Sequence, residues 1–277
     1  VNVRQDGGVA DDASRPGGSP VVDTTVPHSA RIWNYWLGGK DNYAVDREAG
    51  DRFRESFPDI TENARAFRAF LRRGIGYLAG EAGMRQFLDI GTGLPTAGNT
   101  HELAQAAAPE SRIVYVDNDP LVLAHARALL ISSKEGATAY LHADLRETDA
   151  ILAAAADTLD FTRPIALILS GILGHVADYD EARGIVGRLL AALPSGSHLL
   201  ICDGTSTNET LNAAQQQHND RGAVQYQLRS PDEIAGFFDG LELVEPGVVS
   251  CPLWRPEETP FGEPRGVDAY GGIGRKP

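Results

Sequence analysis

The residues best suited to chemistry lie in the run Phe87-Leu88-Asp89-Ile90-Gly91-Thr92-Gly93-Leu94-Pro95-Thr96. An apolar stretch ends in an acid, passes through a Gly-x-Gly turn and leads into what reads as a helix. Such a turn has no side chain in the path of a ligand, and glycine permits both the bend and a close approach. A second apolar run, Ile113 to Val116, is followed by Asp117, 24 residues after Gly93. An acid at the end of a second strand takes the two hydroxyls of a ribose. Together the two features predict a nucleoside-containing cofactor across the ends of two adjacent parallel strands. A dinucleotide fingerprint calls for a third small residue, and here that place holds Thr96 after Pro95. Asp89 adds a negative charge beside the turn, which suits the ammonium and sulfonium of S-adenosyl-L-methionine (SAM) better than a pyrophosphate.

Composition narrows the partners. The chain has 277 residues, 42% of them hydrophobic, enough for one sizeable core and an accessory segment. A net charge of −13 argues against nucleic acid, which needs a basic face. Arg65, Arg68, Arg72 and Arg73 could form a local basic patch, but their spacing fits the solvated face of an amphipathic helix. Cys202 and Cys251 are the two cysteines; they read as free thiols, with a single disulfide the alternative. No Cys/His cluster has zinc-ligand spacing. No apolar run reaches membrane-spanning length and no signal-peptide pattern opens the chain, so a cytoplasmic protein is expected.

The elements that must position these residues follow from periodicity. Residues 1–26 are rich in Gly, Asp, Ser and Pro and read as a flexible tail. Residues 27–80 read as a helical extension, with Phe67, Phe70, Leu71, Ile75 and Leu78 forming one apolar stripe. Residues 81–277 form the cofactor-binding domain. Strands are expected at Phe87 to Ile90, Ile113 to Val116, Ala139 to His142, Ile165 to Leu169 and His198 to Cys202. Asp119-Pro120 opens a helix over Leu121 to Ile131, another runs from Ala182 to Leu193, and Ser230-Pro231-Asp232-Glu233 has the form of a capping box. Leu241 to Val249 and Asp268 to Ile273 complete the pattern as an antiparallel pair at the sheet edge. The prediction is an α/β fold: a Rossmann-like, doubly wound, seven-stranded, mostly parallel sheet of the class I methyltransferase kind, with ligands at the carboxyl ends of the strands.

Upstream, Ser29-Ala30-Arg31-Ile32-Trp33-Asn34-Tyr35-Trp36-Leu37-Gly38-Gly39-Lys40-Asp41-Asn42-Tyr43 packs two Trp and two Tyr around a Gly-Gly-Lys-Asp-Asn break. Two readings stand side by side. The segment is a core helix ended by a glycine cap, or a lid whose glycine hinge delivers Lys40, Asp41 and Asn42 to a ligand. The string resembles the signature of an actinobacterial family of SAM-dependent methyltransferases long catalogued as a domain of unknown function. The resemblance continues at Phe87 to Thr96, through Asn99, His101 and Glu102, and at Val116 to Pro120, Ala143 to Arg146 and Tyr270 to Gly272.

The resemblance implies a class I methyltransferase with a helical extension near the SAM pocket. In that scheme Gly91, Thr92 and Gly93 lie beneath the methionine portion and Asp89 meets its ammonium. Asp117 takes the ribose, Asn118 sits beside the adenine, and Asp144 accepts from the adenine amino group with Leu145 nearby. Gly39, Lys40 and Asn42 are added from the aromatic string. Ser170 ends the fourth strand, where the methyl points. Asp144 also reads as a helix cap or surface acid, and Ser170 as a small buried residue.

Methyl transfer asks the protein mainly to orient and desolvate two reactants. A base is required only where the acceptor must lose a proton. His175 and Tyr43 are the candidate catalytic residues, with His101 and Asp41 behind them; His175 also reads as a structural histidine, and His142 as a strand-end core residue. The expected activity is methylation of a small-molecule acceptor, with S-adenosyl-L-homocysteine (SAH) as product. An NAD(P)-dependent oxidoreductase and a non-catalytic SAM-binding protein are the competing readings.

Overall fold

The computed structural model describes residues 23–95, 98–129, 132–221, 224–257 and 264–277. Most of the expected tail, Thr96 and the expected helix end at Ile131 lie outside the described residues. Five parallel strands form the body of the sheet: β1 (Gln86–Ile90), β2 (Arg112–Asp117), β3 (Ala137–His142), β4 (Ala166–Ser170) and β5 (His198–Gly204). Their order is β3-β2-β1-β4-β5, so the winding reverses between β1 and β4.

The far edge differs from the expected seven-strand arrangement. Among the described residues the sheet has eight strands, because the stretch foreseen as Leu241 to Val249 is broken into β6 (Glu242–Leu243) and β7 (Val249–Ser250). Both pair antiparallel with β8 (Ala269–Arg275), which pairs antiparallel with β5. The break falls at Pro246, which has no N–H for a ladder, and at Gly247, where φ is +86°. The Gly247 N–H turns back to the Val244 carbonyl at 2.9 Å.

Strand alternation divides the core in two. Leu88, Ile90, Leu167, Leu169, Leu199 and Ile201 face one layer, with α6 (Thr148–Ala155), α7 (Tyr179–Ala191) and α9 (Pro231–Gly236). Phe87, Ile113, Tyr115, Ile168 and Leu200 face the other, where α3 (Ile60–Gly80) and α4 (Thr100–Ala107) pack. The expected α3 stripe of Phe67, Phe70, Leu71, Ile75 and Leu78 is buried in full. Gly74 sets how closely that helix approaches, since a Cβ there would meet Leu200 at 2.4 Å. The foreseen caps are in place at both remaining helix starts. Asp119 accepts from the Leu121 N–H at the head of α5 (Pro120–Leu129), and Ser230 forms a capping box with Glu233. None of the described helices is long and apolar enough to cross a membrane.

A third cluster lies over the strand ends. It is built by α1 (Ser29–Trp36), α2 (Ala44–Ser56), the start of α3, and α8 (Glu209–Asp220). One buried acid ties it together. Asp46 accepts from the backbone of His28 at 2.9 Å and of Tyr43 at 2.8 Å, and the Arg31 Nε lies 3.5 Å away. The two outer nitrogens of the Arg31 guanidinium donate to the Asp23 and Val26 carbonyls, which leaves Asp46 as its counter-charge. Asp46→Ala would strand a buried guanidinium and two backbone donors, and it should cost about 3–5 kcal/mol in urea unfolding followed by tryptophan fluorescence. The control Asp51→Ala, which removes the surface pair with Arg54 and the acceptor of the Tyr35 hydroxyl, should cost about 1 kcal/mol.

Candidate active site

A cavity of about 260 Å³ opens at the carboxyl ends of the strands, over the point where the winding reverses. Its floor is the glycine turn after β1. The Gly91 N–H donates to the Val116 carbonyl at 2.8 Å, and the Gly93 N–H donates to Asp117 Oδ2 at 2.8 Å. Both glycines have positive φ, +78° and +67°. A Cβ on Gly91 would strike Ile172, whereas one on Gly93 would meet nothing within 4 Å, so the space over Gly93 is open to a ligand. Thr92 turns its hydroxyl to the Asp89 and Val116 carbonyls and holds the bend.

Two acids project from the strand ends. Asp117 is buried and holds backbone N–H groups on both oxygens, from Gly93 and, at 2.9 Å, from Asp119. Burial raises its pKa and these two bonds oppose the rise. Asp89 is 5% exposed and accepts from the Thr100 hydroxyl at 2.6 Å. Burial pushes its pKa up to about 6, against the Thr100 bond and the Arg68 charge. Arg68 also lines the cavity, so the helix face expected to be solvated is not uniformly so. Arg65 and Arg72 are exposed, but Arg68 is half-buried, donates to the Gly98 carbonyl at 3.4 Å and is close enough for its charge to act on Asp89, and Arg73 donates to the Cys251 and Trp254 carbonyls. The cavity thus carries an acid and a cation near the glycine turn, opposite charges like those of an amino-acid zwitterion.

The other expected site residues divide into two groups. Asn118, Asp144, Leu145, Ser170 and His175 line the cavity with the glycine turn. Asn118 donates to Asp144 at 3.4 Å, and Asp144 Oδ1 accepts from the Arg146 N–H at 2.9 Å. Gly39, Lys40, Asn42 and Tyr43 do not line it. The Gly38–Asn42 loop is instead folded around Asn34, whose Oδ1 accepts from the Asp41 N–H and from Asn42 Nδ2, and Asn34 is the residue that reaches the cavity. Tyr43 lies under the Arg31 guanidinium, 5.4 Å from ring centroid to carbon. His101 is held inside the core by the Tyr115 hydroxyl. His142, expected in the core, is exposed, with Nε2 3.1 Å from the Asn118 carbonyl oxygen.

His175 ends a 3₁₀ turn (Leu173–His175) just past β4. Its Nδ1 lies 2.8 Å from the Gln225 carbonyl oxygen. A carbonyl only accepts, so Nδ1 carries the proton and Nε2 keeps its lone pair. Burial holds the pKa below the ordinary imidazole value, against the Gln225 bond, which leaves the ring neutral near pH 7. The segment that follows α8 fixes this turn. The Gln227 N–H donates to the Gly174 carbonyl at 2.7 Å, and the buried Arg229 donates to the Leu173 and Val176 carbonyls. The Tyr226 ring stands edge-on to His175, and its hydroxyl donates to Asp203. Periodicity gave no sign of this strut, because its residues are held by single hydrogen bonds and not by an apolar stripe.

Comparison with known proteins agrees with this geometry. A sequence profile of S-adenosyl methyltransferases matches residues 16–277. The chain belongs to that family. This methyltransferase is also similar to two solved structures over nearly its whole length. One, a DUF574 family protein from Streptomyces avermitilis, is 47% identical, with a TM-score of 0.88 over 92% of this chain and 99% of the other. A candidate methyltransferase from Thermobifida fusca is 39% identical, with a TM-score of 0.84 over 93% and 97% of the two chains. No protein of curated function matches the chain. The chain is therefore a SAM-dependent methyltransferase, and the oxidoreductase reading has no support.

Asp203 gives the site a pH signature. It is fully buried, and burial pushes its pKa up to about 6, against the Tyr226 bond and the Arg229 charge. The unfolded chain loses this proton near 3.8 and the folded chain near 6, so the folded state binds more protons in between and stability falls as pH rises through that window. The shift corresponds to about 3 kcal/mol. Asp203→Asn keeps an acceptor for Tyr226 and removes the titration. Its stability relative to the native protein should improve by about 3 kcal/mol between pH 4 and pH 7, as measured by urea unfolding across the range.

Proposed function

We propose that this methyltransferase acts on a compact small-molecule acceptor, with His175 as the base that takes the acceptor's proton. The single observation that carries the proposal is the state of His175. It is a neutral imidazole with a free Nε2, on the wall of the strand-end cavity and fixed by the strut behind it. SAM, when bound, supplies a methyl carbon activated by a sulfonium. The protein's residues then hold, orient and deprotonate.

Asp117 is the ribose acceptor, its carboxylate aimed by the Gly93 and Asp119 backbone. Asp89 receives the ammonium and Arg68 the carboxylate of the methionine portion. Gly91, Thr92 and Gly93 form the surface beneath it. Asn118, Asp144 and Leu145 flank the adenine, and Ser170 lies near the methyl. Gly39 and Asn42 act at one remove, by fixing Asn34 in the cavity wall, and Lys40 stands in the same loop outside the cavity. Tyr43 has no comparable claim to catalysis, since its ring lies under Arg31 outside the cavity.

Calorimetry with SAM, SAH and NAD tests the cofactor assignment. SAM and SAH should bind and NAD should not, and Asp117→Ala should weaken SAM about tenfold or more, as loss of a charged hydrogen-bond acceptor does. Arg68→Met should weaken SAM while leaving 5′-methylthioadenosine, which lacks the amino-acid portion, unchanged. Equal loss for both ligands would remove Arg68 from the proposed role. Because the Asp89 carboxylate must be ionised to hold an ammonium and its pKa is about 6, SAM affinity should fall about tenfold between pH 7 and pH 5. An affinity that stays flat over that range would count against Asp89.

A further inference from the structure

A second, smaller cavity of about 60 Å³ adjoins the first, between the α1–α3 helices and the segment around α8. The two share Ser29, Trp33, Phe67, His175 and Val224, so the free face of His175 stands in the doorway between them. We propose that this chamber receives an uncharged, single-ring aromatic acceptor that presents a phenolic hydroxyl to His175 Nε2, with Asn63 reading a polar group on the far side of the ring. The proposal rests on the methyltransferase reading of the larger cavity.

Four observations carry it. The walls are aromatic: Trp33 meets Phe67 at 5.0 Å between centroids and Trp36 meets Phe53 at 5.2 Å, both inclined, with Tyr226 opposite. Edge and face contacts of this kind favour a flat π-system over an alkyl chain of equal size. No Lys or Arg is among the described residues of the wall, and the acid there, Asp268, is occupied by Asn208 at 2.9 Å. A carboxylate or phosphate on the acceptor would find no counter-charge. At about 60 Å³ the chamber is smaller than the roughly 150 Å³ that houses a benzene ring, so the ring spans the doorway, its far edge in the chamber and its hydroxyl edge in the larger cavity beside His175. Finally, Asn63 is only 4% exposed and its side chain makes no hydrogen bond among the described residues, yet it lines the chamber. Its carboxamide opens onto the chamber, where a ligand donor or acceptor can pair with it.

The chemistry closes without another reactant. The hydroxyl proton passes to His175 Nε2, the phenolic oxygen bonds to the methyl carbon, and the carbon–sulfur bond breaks with its electron pair remaining on sulfur. The products are an aryl methyl ether, SAH and a protonated His175 that returns its proton to solvent.

The test is binding, not turnover. Protein saturated with SAH, its uptake measured first, is titrated calorimetrically with 4-methylphenol, 4-hydroxybenzamide, 4-hydroxybenzoate and cyclohexanol. The two neutral phenols should bind, with the carboxylate and the alicyclic alcohol at least tenfold weaker. Asn63→Leu should weaken 4-hydroxybenzamide about tenfold and leave 4-methylphenol unchanged; Asn63→Ser serves where the leucine variant does not fold. Failure of both phenols, preference for the carboxylate, or equal loss of both phenols in the Asn63 variants would overturn the proposal. Were SAH itself not to bind, the methyltransferase reading of the larger cavity would fall. The phenol titration, repeated without SAH and followed by quenching of Trp33 and Trp36, would then decide the chamber by the same outcomes.

Discussion

The carboxylate of Asp117 is the joint on which the site depends. One oxygen holds the Gly93 N–H and the other the Asp119 N–H, so one buried charge ties the glycine turn after β1 to the head of α5. The tie continues outward. Asp119 Oδ1 caps α5, and its Oδ2 lies 3.1 Å from His28 Nδ1, while the His28 N–H donates to Asp46 beneath the aromatic helix. A chain of polar contacts thus runs from the floor of the larger cavity to the helices that roof it. Its members are buried or half-buried, where charge-assisted bonds are shielded from water and each partner would be costly to leave unpaired. The site and its cover are therefore one mechanical unit, and α1 is bound into the fold at both ends of this chain.

That linkage also decides between the two readings of the aromatic string. Trp36 is buried, its indole N–H donates to the Gly50 carbonyl, and Gly38 closes the helix with φ +82°. Those are features of a core helix with a glycine cap. Yet the same helix supplies Asn34 to the larger cavity and Trp33 to both cavities. The alternatives are not exclusive, because one helix buries Ile32 and Trp36 in the third cluster while its neighbouring face closes the site. The Gly-Gly-Lys-Asp-Asn segment contributes by wrapping Asn34: a Cβ on Gly39 would strike that side chain at 2.4 Å. Glycine is required there by close approach, and not by a hinge.

What could be read from sequence alone follows the same physics. The run through Phe87 to Gly93, Asp117, the Asp119-Pro120 start and the Ser230 capping box were legible because each is local: turn, cap and strand periodicity act within a few residues. The α3 stripe was legible for the same reason. Arg68 was not, since it stands beside Phe67 at the border of that stripe and only the tertiary position of Asp89 decides which way it turns. The helix α8 was missed because Leu211 and Ala214 are its only described buried residues, too few to make a stripe in a polar segment. The seven-strand count failed at Pro246, where an apolar run continues through a residue that cannot stay in the ladder. Asn63 carries no signal at all; an asparagine one helical turn before Phe67 gains meaning only when a cavity is found in front of it.

The strut from Gln225 to Arg229 shows how much of the fold stands behind His175. The 3₁₀ turn carries two backbone bonds of its own, from the His175 N–H to the Ile172 carbonyl and from the Val176 N–H to the Leu173 carbonyl, and the carbonyls of Leu173, Gly174 and Val176 take further donors from the strut. Arg229 and the Gln227 N–H supply all three partners. The Gln225 carbonyl then fixes the His175 tautomer, and Tyr226, pinned by Asp203, fixes the ring's edge. The buried Arg229 charge is offset in part by Asp203, whose own burial keeps it near the edge of ionisation. The same segment forms one wall of the smaller cavity, so the element that orients His175 also shapes the space beside it. A substitution there would alter tautomer, ring angle and cavity shape together, and for this reason His175 and the chamber form one mechanical unit.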